Sequence, residues 1–374
     1  MSGLLERAWW SERPGLAAWL LLLPLRLASL LFGVAVALRG WLYDRGLLAS
    51  ARARAPVISV GNLAVGGAGK TPVTMAIAGL LQARGRTVAI LSRGYGATRG
   101  DPRVVSDGRE VLLDAAAGGD EPVLMARRLP GVRVLCGPRR ATIAAEAVSR
   151  HGADALLLDD GLQHRALARD LDVVVLDAAS PLGNGWLLPA GPGREPLAAL
   201  GRAGLVWLSR VDQAPPEALE RWRALARQAT GRPPVESRHA PVDVVDGRLE
   251  RSLGLQALRG RRVLLLSGLA RPGAFRRTVE GLGATVVAER RHPDHHRFSA
   301  AELDEAMAAA EAAGAELVVT TEKDAVRLAP PRAAEARLAV VRIEAELVAG
   351  QAALEEALDA ALATGDVRRR ETTP

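Results

Sequence analysis

The chain has 374 residues, 49% of them apolar and 24% charged, which exceeds the length at which a single hydrophobic core stops growing. Its only cysteine, Cys136, excludes an intramolecular disulfide and favours a reducing, cytosolic location for the folded part. The formal net charge of +7 predicts an anionic partner. Aromatic residues make up only 3% of the chain, so nucleic acid ranks behind a membrane surface or a phosphorylated substrate.

The first long segment, Leu16–Leu38, is apolar and is interrupted only by Pro24, Arg26 and Ser29. Its length is close to the roughly 20 residues that span a bilayer, and tryptophans lie near both ends. Arginines are denser after the segment than before it, which places the rest of the chain on the cytoplasmic side of the membrane. We expect a membrane-associated helix that either spans the bilayer or lies in it; the alternative is a buried helix of the globular part.

From residue 57 onward, short apolar runs alternate with amphipathic segments. This rhythm predicts an α/β fold, with a parallel sheet covered by helices on both faces. The expected buried strands are Val57–Val60, Thr87–Leu91, Val132–Cys136, Ala155–Leu158, Val173–Leu176 and Val206–Leu208, and helices are expected at Thr71–Ala83 and Arg139–Arg150.

A second, smaller α/β domain is predicted after a polar, turn-rich stretch. Its expected strands are Val263–Leu266, Thr285–Val287, Leu317–Thr320 and Leu338–Ile343, and its expected helices are Pro272–Leu282, Ala300–Ala313 and Gln351–Ala363. The predicted organisation is an N-terminal helix (1–50), a nucleotide-binding domain (51–230), a linker (231–260), the second domain (261–366) and a disordered tail (367–374).

A glycine-rich loop that ends in Gly69-Lys70-Thr71 follows the first predicted strand and precedes a helix. This is the context of a P-loop, in which backbone N–H groups cradle phosphates, the lysine reaches the β and γ phosphates, and the threonine ligates Mg²⁺. The strict pattern has glycine where this chain has Ala64. The expected nucleotide-binding residues are Ala64, Val65, Gly66, Gly67, Ala68, Gly69, Lys70 and Thr71.

Two adjacent aspartates, Asp159 and Asp160, follow the strand Ala155–Leu158. A carboxylate at the carboxyl end of a buried strand can hold Mg²⁺ directly or through water. Both residues are therefore candidate metal ligands, and the alternative is a helix cap or a turn.

Asp120 precedes a predicted helix, where it would act either as an N-cap or as the acceptor of a proton from an attacking hydroxyl. The residues alone favour the cap.

The densest titratable cluster is residues 292–296, which hold three of the six histidines. The cluster lacks the spacing of zinc motifs and a cysteine partner. An acid/base role is favoured, because an aspartate beside a histidine can orient an imidazole that titrates near neutral pH. The alternative is a solvated loop.

Only two of the 49 basic residues are lysines, Lys70 and Lys323. In a chain so rich in arginine, a remaining lysine indicates a site that needs a compact ammonium group. Lys323 precedes Asp324 after a strand of the second domain, where the pair either shapes a phosphate pocket or caps a helix.

Arg93 and Arg194 lie in glycine-rich loops and are candidates to bind an anionic substrate.

Several motifs occur together in a fixed order along the chain: Gly-Lys-Thr-Pro, Ser-Arg-Gly-Tyr-Gly, Gly-Asp-Glu-Pro, Asp-Asp-Gly-Leu-Gln-His, Gly-Pro-Gly-Arg-Glu-Pro, Asp-His-His and Thr-Glu-Lys-Asp. In this combination the chain resembles the tetraacyldisaccharide 4′-kinases, the lipid A 4′-kinases of Gram-negative bacteria. The resemblance extends from the apolar helix to the last domain. It implies ATP and Mg²⁺ as cofactors, and transfer of the γ-phosphoryl group to the 4′-hydroxyl of a lipid-linked glucosamine disaccharide 1-phosphate, a step of lipopolysaccharide synthesis.

The resemblance also implies roles for individual residues. Lys70 and Thr71 would contact phosphate and Mg²⁺, and Asp159 or Asp160 would support the metal. Asp120 would be the catalytic carboxylate, paired with a histidine for which His295 is the best match and His296 the next. The candidates for substrate contacts are Arg93, Tyr95, Gln163, His164, Arg194 and His296. We expect a monomer.

Two other functions are compatible with parts of the sequence. A membrane-associated P-loop ATPase switch that phosphorylates no small molecule would use the loop, the aspartate pair and the anchor, but it leaves the histidine cluster and the second domain without a task. A nucleotide-binding protein without chemistry is the remaining alternative. Substrate-independent turnover of ATP would favour the former, and binding without turnover the latter.

Overall fold

The computed structural model describes residues 9–10, 16–94, 103–180, 182–269, 272–294, 296–328 and 336–371. The chain forms two compact units. The first unit comprises Met1–Arg93, Gly131–Arg238 and Ala345–Pro374, and the second comprises Gly94–Pro130 and His239–Glu344.

The described part of the chain contains strands and helices in alternation. The strands are β1 (Val57–Gly61), β2 (Val88–Ser92), β3 (Arg103–Ser106), β4 (Arg133–Cys136), β5 (Ala155–Asp159), β6 (Leu171–Asp177), β7 (Leu205–Ser209), β8 (Val235–Asp246), β9 (Arg262–Ser267), β10 (Thr285–Arg291), β11 (Leu317–Thr321) and β12 (Leu338–Ala349). The helices are α1 (Leu16–Asp44), α2 (Lys70–Ala83), α3 (Ala115–Gly118), α4 (Asp120–Arg128), α5 (Arg140–Ser149), α6 (Pro216–Thr230), α7 (Pro272–Gly281), α8 (Ala300–Ala312), α9 (Glu322–Ala325) and α10 (Gln351–Glu371).

The first unit is built on a parallel sheet in the order β8-β7-β6-β1-β5-β2-β4. All five residues of β1, β2, β5 and β7 are buried. Since successive side chains of a strand point to opposite faces, this burial requires cover on both sides of the sheet. Helix α2 packs against β1, β2 and β5, and α10 packs against β1, β6 and β7. The predicted parallel α/β sheet is thereby confirmed.

Helix α1 belongs to the first unit and is long and apolar enough to cross a membrane, with a mean hydropathy of 1.7 over an 18-residue window within Leu22–Asp44. One face packs on the unit: Leu22 and Ser29 are buried, and the Ser29 hydroxyl donates to the carbonyl of Leu187 at 2.9 Å. The opposite face is exposed and forms a continuous apolar stripe, because its residues recur every three or four positions. This stripe consists of Leu23, Leu27, Leu30, Leu31, Val34, Leu38 and Trp41.

The second unit contains a smaller sheet in the order β10-β9-β11-β12-β8, in which β10, β9, β11 and β12 run parallel. Its core lies on both faces of β9: Val263 and Leu265 pack with Phe275 of α7, whereas Leu264 and Leu266 pack with Leu303 of α8. The predicted smaller α/β domain is confirmed, and its four predicted strands all form.

The division of the chain differs from the expected ranges in four places. Gly94–Pro130 joins the second unit and Ala345–Pro374 the first, so neither unit is continuous in sequence. The expected linker 231–260 contains the long strand β8, inside which the chain passes from one unit to the other. The expected disordered tail from residue 367 continues α10 to Glu371, and Arg368 pairs with Asp170 at 2.5 Å.

Candidate active site

The glycine-rich loop leaves the carboxyl end of β1 and enters α2 at Lys70. Gly61 allows the close approach that starts the loop, because a Cβ there would lie 2.5 Å from the Cβ of Leu162. Gly69 is the residue before α2 and has φ 85°, a left-handed conformation that glycine adopts without steric penalty. The loop therefore ends with the backbone turned into the helix N-terminus, where free N–H groups and the helix dipole favour phosphate.

Residues at the end of strand β7 donate hydrogen bonds to the glycine-rich loop. The Ser209 hydroxyl donates to the carbonyl of Ala68 at 2.7 Å, and Arg210 donates to the carbonyl of Gly67. Arg210 also pairs with Asp177 at 3.0 Å, at the end of the neighbouring strand β6. Asp177 is thus part of the loop's support.

Lys70 lies between two acceptors at the base of the loop. Its Nζ is 3.2 Å from Oδ1 of Asn62 and 3.4 Å from Oδ1 of Asp160. Gly66 and Gly67 are exposed, so the loop backbone is open to solvent beside this ammonium group. An exposed backbone loop with a neighbouring lysine is the arrangement that binds phosphate oxygens.

Asp159 and Asp160 face different groups. Asp159 is buried, with its oxygens 3.4 Å from the hydroxyl of Thr74 and 3.2 Å from that of Ser92. Asp160 is half-buried and has φ 51°, a left-handed conformation in which aspartate is among the more tolerant residues. Burial alone raises the pKa of Asp160, but the charges of Lys70 and Arg194 outweigh it and lower that pKa.

Arg194 and Gln163 extend the site on the side of Asp160. Arg194 Nη1 donates to both Asp160 oxygens, at 2.9 and 2.8 Å. The Gln163 amide donates to the carbonyl of Asn62 at 3.0 Å and to Glu195 at 3.1 Å. Gln163 thereby contacts the backbone just after β1, and Arg194 contacts the aspartate just after β5.

His164 and Arg140 bring further titratable groups to this part of the first unit. Burial, followed by the charge of Arg140, lowers the pKa of His164 to about 4, so this imidazole is neutral at pH 7. Burial lowers the pKa of Arg140 to about 10, although Asp159 opposes the shift. Arg93 is exposed at the end of β2, and the candidate Tyr95 lies outside the described residues.

Asp120 is the first residue of α4 in the second unit, and Gly119 with φ 91° occupies the N-cap position. The N-cap interpretation of Asp120 is therefore wrong. Its carboxylate is buried, and Oδ2 lies 3.3 Å from Nε of Arg327. A buried carboxylate with a charged partner is more typical of a functional site than of a surface cap.

Arg327 connects Asp120 to the rest of this group. Its side chain is only 2% exposed and donates to Asp324 at 3.0 Å and to the carbonyl of His296 at 2.6 Å. Asp324 is fully buried and also accepts from the Thr321 hydroxyl at 2.9 Å. Burial raises the pKa of Asp324, and the charge of Arg327 opposes that rise.

Lys323 lies among acidic residues of the same unit, 3.3 Å from Asp294 and 3.9 Å from Glu121. Glu322 beside it is buried between Arg128 at 2.7 Å and Arg342 at 2.9 Å. Helix capping by Thr321 explains the start of α9, but it leaves the Lys323 ammonium group unexplained. His295 lies outside the described residues.

The structure thus gathers the candidates into two groups. In the first unit, the loop lysine, the metal candidates and part of the substrate candidates lie together: Lys70, Thr71, Asp159, Asp160, Gln163, His164 and Arg194. In the second unit, Arg327 contacts both Asp120 and the carbonyl of His296. Lys323 pairs with Asp294 in the same unit. Sequence reasoning missed Asn62, Glu195 and Arg327, whose roles depend on partners far along the chain.

Comparison with known proteins gives a consistent result. A family model described as tetraacyldisaccharide-1-P 4′-kinase matches residues 18–363. A tetraacyldisaccharide 4′-kinase of Anaeromyxobacter sp. (strain Fw109-5) is 70% identical over 367 residues, which cover 98% of this chain and 99% of that protein. The tetraacyldisaccharide 4′-kinase of Syntrophus aciditrophicus (strain SB) is 43% identical over 314 residues, 82% of this chain and 84% of that one.

A solved structure is similar along most of the chain. The crystal structure of LpxK from Aquifex aeolicus in complex with ATP superposes with a TM-score of 0.73 at 30% identity. The superposition covers 89% of this chain and 97% of the LpxK chain.

Proposed function

The chain belongs to the tetraacyldisaccharide-1-phosphate 4′-kinase family, and from that premise we propose the roles that its own residues take in the transfer. The protein is an ATP-dependent kinase of lipid A biosynthesis that moves the γ-phosphoryl group of ATP to the 4′-hydroxyl of tetraacyldisaccharide 1-phosphate. The observation that carries this conclusion is the family match over residues 18–363. The alternative, an ATPase switch without a small-molecule substrate, is not favoured.

The glycine-rich loop binds the phosphates of ATP in this proposal. Backbone N–H groups of residues 66–71 surround the β and γ phosphates, and Lys70 exchanges its contacts with Asn62 and Asp160 for phosphate oxygens. The exposure of Gly66 and Gly67 supports this role, because their backbone is free to approach the nucleotide.

The residues around Lys70 fit a magnesium ion, because hydroxyl and carboxylate oxygens are the ligands that it prefers. Thr71 at the start of α2 would ligate the ion, and Asp160 would support it directly or through water. Asp159 accepts hydrogen bonds from Thr74 and Ser92, and it would support the ion without being a direct ligand. When bound, Mg²⁺ neutralises the charge that develops on the phosphate oxygens.

Asp120 is the base in this proposal. Its carboxylate takes the proton of the 4′-hydroxyl while that oxygen bonds to the γ phosphorus, and the bond from the γ phosphorus to the bridging oxygen breaks to leave ADP. The contact with Arg327 supports the role, because it orients a buried carboxylate. His295 is proposed as the partner of Asp120 on the resemblance alone.

The remaining candidates are proposed to contact the substrate. Arg194 lies against Asp160 and Gln163 lies against Glu195, so both present polar groups beside the loop that binds phosphate. Arg93, Tyr95, His164 and His296 are retained as candidates for the sugar and the 1-phosphate. Arginine suits the latter contact, since its planar group binds phosphate through two parallel hydrogen bonds.

We propose that α1 lies along the cytoplasmic face of the inner membrane and does not cross it. The helix is fixed along one face to the first unit, through Ser29 and through Arg165, which donates to the carbonyl of Gly40 at 2.9 Å and pairs with Asp44 at 2.6 Å. Only the apolar stripe is left to enter lipid, which is the geometry of an interfacial helix. This places the kinase beside acyl chains that remain in the bilayer.

The test of the function is transfer from γ-labelled ATP to tetraacyldisaccharide 1-phosphate in detergent micelles. We expect label in the lipid with the parent chain and none with Lys70→Ala. The control is Arg238→Ala, which removes an exposed ion pair with Glu346 and should leave transfer unchanged. Labelled free phosphate with unmodified lipid would instead favour the ATPase.

A further inference from the structure

Three side chains of the second unit converge on one carboxylate oxygen: His292, His296 and Glu302, of which only His296 is a candidate for the proposed reaction. The Nε2 of His296 lies 2.8 Å from Oε1 of Glu302, and the Nδ1 of His292 lies 3.8 Å from the same oxygen. One ligand atom from each of the three residues falls within 4.8 Å of the others. Two imidazole nitrogens therefore face a single carboxylate oxygen.

Neighbouring residues hold the three groups in this arrangement. The two imidazoles stack with ring centroids 4.4 Å apart, and Phe298 packs edge-on against both at 5.1 and 5.0 Å. Phe298 is itself part of the core of the second unit. The imidazoles are thus fixed by packing against a buried aromatic ring.

Glu302 is fixed by the start of α8. Its Oε2 accepts from the backbone N–H of Ser299 at 2.8 Å and from the Ser299 hydroxyl at 2.9 Å, which completes a capping box. These hydrogen bonds, together with that from His296, lower the pKa of Glu302 to about 2. The side chain is therefore an oriented anion at neutral pH, with Oε1 directed towards the histidines.

We propose that His292, His296 and Glu302 bind one Zn²⁺ ion. Two histidines and a glutamate form a known ligand set for zinc, completed by water. In a tetrahedral site with bonds of about 2.0 to 2.1 Å, the ligand atoms lie roughly 3.3 Å apart. The separations of 2.8 and 3.8 Å between the Glu302 oxygen and the two imidazole nitrogens each differ from this value by about 0.5 Å. The hydrogen bonds to Ser299 orient the ligating carboxylate, as partners of metal ligands do in zinc sites.

The spacing of the histidines does not predict this site, because the third ligand comes from the first turn of a helix. The ion would also fix the 292–296 loop, whose His296 carbonyl accepts from Arg327, the partner of Asp120. The site is distinct from the proposed magnesium ligands, which belong to the first unit, and it stands whether or not the proposed residue roles in the transfer hold.

The test is titration of the full-length protein with Zn²⁺ in competition with a chromophoric chelator, without nucleotide. Glu302→Gln keeps the capping box, since glutamine also serves at that position, but it replaces the anionic ligand. We expect one Zn²⁺ per parent chain, and an affinity at least tenfold lower for Glu302→Gln and for His292→Ala, as loss of a direct ligand should weaken binding at least as much as loss of a partner of one. His151→Ala removes a histidine of the first unit and should bind zinc as the parent does.

Zinc should also raise the Tm of the parent and of His151→Ala, but not that of Glu302→Gln, because a ligand that binds only the native state stabilises it. Equal zinc affinity in the parent, Glu302→Gln and His292→Ala would overturn the proposal. Zinc that is retained in Glu302→Gln and lost in Asp160→Asn would overturn it as well, because the ion would then occupy the phosphate-binding site.

Discussion

The carboxylate of Asp120 can be altered with little change in shape, because asparagine keeps its size and its place beside Arg327. We expect Asp120→Asn to lower kcat by about 10² to 10⁴-fold, the usual contribution of a positioned base. The Kd for ATP should not change, since the phosphate loop belongs to the first unit. Steady-state transfer and nucleotide titration measure the two quantities. The control is Asp304→Asn, an exposed carboxylate of α8, and normal turnover by Asp120→Asn would show that the base is another group.

Arg327 is a buried cation shared by two carboxylates, so its removal breaks an ion pair with Asp120 and another with Asp324. Breaking a buried ion pair on one side costs about 3 to 5 kcal/mol. We expect Arg327→Met to lower the free energy of unfolding by about that amount in urea. The matched substitution Arg84→Met breaks an exposed pair with Asp359 and should cost less than about 1 kcal/mol. Similar losses for the two variants would contradict the structural role of Arg327.

His164 makes stability depend on pH in a defined window. Its pKa in the folded chain is about 4, below the unfolded value of 6.5. Above pH 6.5 it is neutral in both states. As the pH falls from 6.5 to 4, the unfolded chain binds a proton that the folded chain does not, so the free energy of unfolding decreases.

We therefore expect His164→Gln to reduce the stability difference between pH 7 and pH 5 by about 1 kcal/mol, a figure reduced for partial solvent exposure. Urea unfolding at the two pH values measures this difference for both chains. Because the comparison is between pH values, any loss of packing that does not depend on pH cancels. An identical pH dependence in the two chains would mean that His164 titrates normally.

At the scale of elements, the residues of α1 that are proposed to bind the membrane differ from those that pack on the first unit. Leu27 and Leu31 lie on the apolar stripe and are 66% and 67% exposed, so their replacement should leave the free energy of unfolding unchanged. Burying a leucine side chain is worth about 1.5 to 3 kcal/mol. We expect the double variant Leu27→Gln, Leu31→Gln to bind lipid vesicles at least tenfold more weakly.

The matched control for α1 is Val348→Gln, which alters an exposed apolar residue of β12 outside the stripe. Sedimentation with vesicles measures the bound fraction of each chain. If the double variant on α1 bound as tightly as this control, the apolar stripe would not be the surface that enters lipid.

The elements with strong local patterns were predicted well from the sequence. Apolar runs such as Val57–Val60 and Ala155–Leu158 become β1 and β5, because a strand buried on both faces needs apolar residues at every position. Strand β8 was missed. Only its ends are buried, so the stretch reads as polar and turn-rich. The assignment of Gly94–Pro130 to the second unit depends on long-range packing, which local patterns do not record.

The same contrast holds for the candidate site. The phosphate loop has a local sequence signature, because its backbone path requires glycine at particular positions such as Gly69. Arg327 and Glu302 look like ordinary charged residues of helical segments, and their partners lie elsewhere in the sequence or in a loop. Asp120 was interpretable as an N-cap until the structure assigned that position to Gly119.

At the scale of the whole molecule, the net charge of +7 predicts how the protein distinguishes membranes. Each basic residue near an anionic surface contributes about 1 kcal/mol, and salt screens this attraction over a Debye length of about 10 Å at 0.1 M. We expect stronger binding to anionic vesicles than to zwitterionic ones, and a loss of the difference in about 0.5 M salt. Equal, salt-insensitive binding to both would leave the apolar stripe as the sole determinant.

Helix α10 has a consequence for the order in which the protein matures on the ribosome. It packs against β1, β6 and β7, and its Asp366 pairs with Arg86 at 2.5 Å. The sheet that carries the phosphate loop precedes α10 along the chain, so its strands are synthesised before the helix that packs on them. The nascent first unit therefore lacks this helix until the last segment of the unit has been made, by which time every residue of the second unit has already been made.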